Sequence, residues 1–170
     1  MHDEARDAVT HGAPAGWRAL VVCIGNSLVA DDAAGGEVHR ALASAELPPG
    51  VTLRWLATGG MNLVDELAGE DLLIVVDAVQ LGAAPGTVHV KRWTDLPAPD
   101  GAVSAHGIGV REAVEVTRLL FPERAPRDAL LVGIEGRQFD RLGEPMSPQV
   151  ADAIPRAVAQ VLALLADESS

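Results

Sequence analysis

Lysine and cysteine are nearly absent: Lys91 is the only lysine and Cys23 the only cysteine in the 170 residues. Thirteen basic residues face 24 acidic ones, a formal net charge of −11. A nucleic-acid or anionic-membrane surface needs clustered cations to neutralise phosphates, so both partner classes are excluded. A lone cysteine closes no internal disulfide, and the first residues lack the basic, apolar and cleavage-site succession of a secretory signal. A reducing cytoplasm is the expected address. No apolar run reaches the roughly 18 to 20 residues of a membrane span, so no membrane insertion is expected. What the chain does have is 48% hydrophobic residues, enough for one domain with one sizeable core.

The first sixteen residues, "MHDEARDAVTHGAPAG", are polar and aperiodic and read as a loose leader, with His2 and His11 idle. One domain is expected over 17–166, followed by a frayed end at 167–170. From Trp17 onward, "WRALVVCI" reads as a strand, "AGGEVHRALASAEL" as a helix, "VTLRWLA" as a strand and "NLVDELAG" as a short helix. This order predicts an α/β fold, a three-layer α/β/α sandwich around a twisted, mostly parallel five-stranded sheet. "DLLIVVDAV" is the most apolar run and belongs at the sheet's centre. "TVHVKRW" alternates with period two, and the short "LGAAPG" connection before it predicts an antiparallel hairpin. "GVREAVEVTRLLF" carries a helical stripe of Val110, Val114, Thr117 and Phe121, and "DALLVGIE" is a further strand. Ser147 suits an N-cap with Pro148 at the first helical position, while Pro155 predicts a break before a longer helix to about Ala166.

In open parallel sheets, ligands bind in the crevice beyond the carboxyl ends of the strands. The first strand ends in "GNSLVADDAAG", with Asp31 and Asp32; the central strand ends at Asp77; the loop "SAHGIG" carries His106. The first loop lacks the third glycine of a dinucleotide fingerprint and the Gly-Lys-Ser/Thr ending of a P-loop. Asp31 and Asp32 have two readings, helix capping or a metal corner, and capping needs only one of them. Asp77, directly after "LLIVV", needs an arginine, a helix terminus or a metal to offset its desolvation. His106 is either a solvated loop histidine or a ligand. His39 lies about 10 Å along the helix axis from Asp32 and cannot share a first coordination shell with it. His89 falls on the polar phase of its strand and reads as solvent-exposed. Cys23 lies inside the first strand, an inert thiol; no Gly-x-Ser-x-Gly elbow occurs, and Ser104 beside His106 is weak support for a nucleophile and base.

Taken together, these stretches resemble the hydrogenase maturation protease family. "IGNSLVADDAAG" resembles its opening Gly-Asn-x-Leu-x-x-Asp-Asp/Glu-x-x-Gly loop, "LLIVVDAV" its central strand and aspartate, and "SAHGIGV" its histidine loop. "LLVGIE" and "MSPQVADAIPRAV" resemble its last strand and helix, so the likeness runs from about Ala19 to Leu165 in order. The resemblance assigns metal recognition to Asp32, Asp77 and His106. The chain departs from the pattern at "TGGMN", where Gly59 and Gly60 persist but Met61 and Asn62 differ, and at Gly136, which replaces a common proline near Glu135.

One imidazole and two carboxylates form a mixed site with open positions, compatible with nickel or zinc and too sparse for calcium. The resemblance implies an aspartic-type endopeptidase that removes the C-terminal peptide of a nickel-iron hydrogenase large-subunit precursor. The nickel is supplied by that substrate, and the resemblance names no nucleophile. A monomer is expected. Two alternatives stand beside this reading: a noncatalytic nickel-dependent assembly checkpoint, and a peptidase of this fold acting on an unrelated protein.

Overall fold

The computed structural model describes residues 16–57, 60–96 and 107–168. Five strands form one sheet: β1 (Ala19–Ile24), β2 (Val51–Leu56), β3 (Leu72–Val79), β4 (Val88–Arg92) and β5 (Asp128–Glu135), in the spatial order β2-β1-β3-β5-β4. β1 pairs in parallel with β2 and β3, and β3 in parallel with β5, while β4 runs antiparallel to β5. The central position of β3 follows from its composition, since all eight of its residues are buried.

The antiparallel direction of β4 is as expected, but the hairpin is not. β4 lies beside β5 rather than β3, because both edges of β3 are occupied by parallel neighbours, β1 and β5. The 80–87 connection therefore steps over the end of β5. Its hydrogen bonds show this: Gly86 N–H donates to Glu135 O at 2.8 Å and Glu135 N–H to Thr87 O at 2.8 Å.

Strand periodicity divides the core into two layers. Val21, Cys23, Ile74, Val76, Val132 and Ile134 pack on one face against α1 (Ala34–Ala43) and α4 (Pro148–Glu168). Leu20, Val22, Leu73, Val75 and Leu131 pack on the other against α2 (Leu63–Glu66) and α3 (Gly107–Leu120). Each fully buried Leu, Ile or Val contributes about 1.5–3 kcal/mol relative to exposure. The α3 stripe holds at Val110, Val114 and Thr117. It fails at Phe121, which lies past the helix end and is 41% exposed.

Pro155 does not break the last helix. α4 is continuous for 21 residues, with Pro155 on its exposed side and Val150, Ala153, Ala157, Val161 and Leu165 buried along one stripe. Packing of that stripe holds the helix through the hydrogen bond that proline cannot donate. The helix also runs through Asp167 and Glu168, where fraying was expected. Ser147 immediately precedes it, and its carbonyl accepts the Ala151 N–H at 3.0 Å, as an N-cap carbonyl should. α4 alone is long and apolar enough for a membrane span among the described residues, with mean hydropathy 1.3. Its apolar stripe is instead the floor of one core layer.

Candidate functional site at the carboxyl edge of the sheet

β1 leaves the sheet through Gly25, whose φ is +147° and whose missing side chain lets Asp32 O approach: a Cβ there would meet that oxygen at 2.1 Å. Glycine is required at this turn on both counts. The chain then forms a single 3-10 turn, Ala30–Ala33, that holds both aspartates and runs into α1. Neither the 3-10 turn nor α1 has a side-chain hydrogen bond at its N-cap, so neither aspartate acts as the helix cap. Asp31 is fully buried and its carboxylate faces a distant loop: Oδ2 accepts the N–H groups of Arg137 and Gln138, each at 2.9 Å, and Oδ1 accepts that of Ser147 at 2.8 Å. Burial alone pushes the Asp31 carboxyl up, but the N–H groups of Arg137, Ser147 and Gln138 outweigh it and hold the group below the usual carboxylate range. Asp31 is thus a clamp on the 137–147 segment.

Asp32, the neighbour, turns back on its own loop. Its Oδ2 accepts the Asn26 N–H at 3.0 Å, and the residue is 6% exposed. Asp77 sits in β3, 2% exposed, with Gly133 of β5 as its cross-strand partner and His89 of β4 opposite Gly133. Its position in the strand matches the phase of Leu73, Val75 and Val79, the layer covered by α3. In sequence, His106 immediately precedes Gly107, the first residue of α3. His106 itself, Ser104, and Gly59 of the departing "TGGMN" stretch lie outside the described residues. Among the described residues alone, no three His, Cys, Asp or Glu side chains form a metal-sized cluster.

Both aspartates are buried, not solvent-facing as a shallow site would place them. Cys23 confirms how dry the region is. Burial first, and the Asp77 carboxylate second, push its thiol up to about 12. That is an inert thiol, as its position inside the first strand predicts. His39 packs against Trp55 of β2, with ring centroids 6.2 Å apart. It takes no part in the site.

A further buried carboxylate escaped sequence reasoning. Glu135, the last residue of β5, is 3% exposed; its Oε1 accepts the N–H groups of Leu81, Gly82 and Ala83 at 3.0, 2.9 and 3.2 Å. Its Oε2 lies 2.9 Å from His89 Nε2. His89 is therefore not the solvent-exposed residue that strand alternation predicts, because β4 borders β5 and turns that face toward Glu135. The available signal was an acidic residue closing an otherwise apolar run, the same signal that singled out Asp77, although β3 continues past Asp77 to Val79.

Comparison with known proteins agrees with this geometry. The profile of the hydrogenase maturation protease family matches residues 37–164. The hydrogenase expression/formation protein HupD of Bradyrhizobium diazoefficiens is 34% identical over 156 residues, covering 88% of this chain and 79% of the relative. The hydrogenase 2 maturation protease of Escherichia coli is 34% identical over 152 residues, covering 87% and 90%. The solved structure of the E. coli hydrogenase-maturating endopeptidase HybD superposes with a TM-score of 0.78 at 32% identity, over 88% of this chain and 93% of that one. HybD of Thermococcus kodakarensis gives 0.72 at 25% identity, over 87% and 99%. With the five-stranded mixed sheet and the acidic residues at its carboxyl edge, these matches place the chain in the hydrogenase maturation protease family, as a peptidase that serves hydrogenase maturation.

Proposed function

We propose that the protein is an endopeptidase that removes the C-terminal peptide of a nickel-iron hydrogenase large-subunit precursor once nickel has been inserted. Asp32, Asp77 and His106 recognise the nickel carried by the substrate. The supporting observation is the burial of Asp77 near the carboxyl end of β3 and of Asp32 in the turn that follows the neighbouring strand β1. Buried carboxylates need compensating partners, and a divalent ion can act as one beside the partners that both already have. The donor set of two carboxylate oxygens and one imidazole nitrogen suits nickel or zinc, and three protein ligands leave coordination positions for ligands of the precursor.

Substrate-borne metal makes recognition conditional. A nickel-loaded precursor completes its coordination on these three side chains and lays its C-terminal segment along the carboxyl edge of the sheet; a nickel-free precursor lacks that anchor. Loss of about 3 kcal/mol of binding weakens a complex roughly 150-fold, enough to separate mature from immature substrate. The enzyme acts as a cytoplasmic monomer on this reading. The test is incubation of the pure protein with nickel-loaded and nickel-free precursor, followed by mass spectrometry. Loss of a short C-terminal peptide from the loaded form alone is expected. Equal cleavage of both forms would reject nickel recognition, and cleavage of neither would reject the precursor as substrate.

A further inference from the structure

Beside Asp31 lies a cleft of about 400 Å³, lined by Gln80, Gly82, Ala83, Glu135, Gly136 and Arg137. It opens at the carboxyl ends of β3 and β5, three residues past Asp77 on one side and directly after Glu135 on the other. Both of its walls are held by buried carboxylates. Glu135 fixes the first wall through the N–H groups of Leu81, Gly82 and Ala83. Asp31 fixes the second through those of Arg137 and Gln138. Gly136 N–H also donates to Val79 O at 2.9 Å, joining the two walls at the base.

Between these fixed walls stands one uncommitted cation. Among the described arginines only Arg118 and Arg137 have side chains with no hydrogen bond or ion pair, and Arg137 lines this cleft. Its main chain is pinned by Asp31 while its side chain is exposed. The Glu135 carboxylate does not compete for it: that group is almost fully buried and already accepts three N–H groups beside His89. The remaining side-chain donor in the lining is the Gln80 amide. A guanidinium and an amide on rigid walls form a receptor for a carboxylate, which a guanidinium grips through two parallel N–H···O bonds. Within a chain of net charge −11, such a receptor selects against the general repulsion of acidic ligands.

We infer that the Arg137 cleft is a substrate subsite that binds a carboxylate of the peptide being removed, and that Arg137 is a specificity-determining residue. The inference rests on the proposed precursor-processing activity. The carboxylate has two possible sources, an acidic side chain of the C-terminal extension or the terminal carboxylate of the precursor.

The experiment measures processing of nickel-loaded precursor by the wild type, Arg137→Gln, Arg137→Lys and, as a control away from the cleft, Arg118→Gln. Arg137→Gln is expected to raise KM at least tenfold, about 1.4 kcal/mol, with kcat retained and an unchanged urea midpoint. Arg137→Lys is expected to recover part of the loss, and Arg118→Gln to match the wild type. Precursors with each acidic residue of the extension changed to its amide, and one ending in a carboxamide, locate the carboxylate: the correct change raises the wild-type KM to that of Arg137→Gln and abolishes the difference between the two. If the wild type cleaves nothing, the precursor-processing reading itself fails. If the wild type cleaves and Arg137→Gln has the same KM, or if no carboxylate change removes the dependence on Arg137, this inference alone is overturned.

Discussion

The carboxylate of Asp31 accepts the backbone N–H of Arg137 at 2.9 Å, joining residues 106 positions apart in the chain. Gln138 and Ser147 donate to the same side chain, so one buried aspartate fixes the start and the end of the segment between β5 and α4. Asp31→Ala leaves three donors without this acceptor. A loss of about 3 kcal/mol is expected, since each buried unsatisfied group costs about 1–3 kcal/mol and the loop relaxes in part. Urea unfolding monitored by circular dichroism measures it, and a loss below about 1 kcal/mol would contradict the clamp.

Asp31 also predicts a pH dependence. Its carboxyl lies below the ordinary aspartate value of about 4 in the folded protein. Between the folded and unfolded values the unfolded chain binds more protons, so stability there rises with pH. The contribution is fully present above about pH 4 and is lost as pH falls through the folded value. The difference in unfolding free energy between wild type and Asp31→Asn is therefore expected to be largest near neutrality and to shrink below pH 4. A difference that stayed constant from pH 6 to pH 2.5 would refute the assignment.

Cys23 provides a probe of the dry side of the site. With its thiol pushed up to about 12 and its side chain fully buried, the native protein is expected to resist thiol reagents at pH 8. Reaction with one equivalent should follow denaturation in guanidinium. Rapid labelling of native protein would show that water reaches the end of β1.

Asp32 and Asp77 are best tested as amides, because both are buried and Asp32 accepts the Asn26 N–H. Asp32→Asn and Asp77→Asn are expected to lower precursor processing by at least about a hundredfold, the range lost when a reacting group is misplaced by about 1 Å. His106→Ala is expected to do the same. Processing at wild-type rates by any of the three would remove that residue from the recognition set.

Pro155 lies on the exposed side of α4, within a continuous helix. Alanine there restores a backbone donor and removes the ring's clash with the preceding turn. Proline is about 3 kcal/mol less favourable than alanine in a helix interior, and packing has already absorbed part of the distortion. Pro155→Ala is expected to stabilise the protein by about 1–2 kcal/mol, read as a higher melting temperature. A lower melting temperature would mean that the proline ring contributes more to the helix than it costs.

Much of the architecture is local in origin and was legible in the chain. The nearly continuous apolar run of "DALLVGIE" and the helical stripe of "GVREAVEVTRLLF" reflect which faces of one strand or helix are buried, and both elements lie where those patterns put them. The uninterrupted apolar run of Leu72–Val76 likewise determined the centre of the sheet, and an acidic residue ending such a run marked Asp77. Tertiary structure alone decided the rest. β4 runs antiparallel as its short connection suggested, but only the occupied edges of β3 sent it to β5. That placement turned His89 onto Glu135, 46 residues away. Asp31 carries the composition of a helix cap and serves instead as a clamp, because its acceptors meet N–H groups more than a hundred residues further along. Local patterns record burial; the partners of a buried charge depend on which distant backbone the fold brings to it.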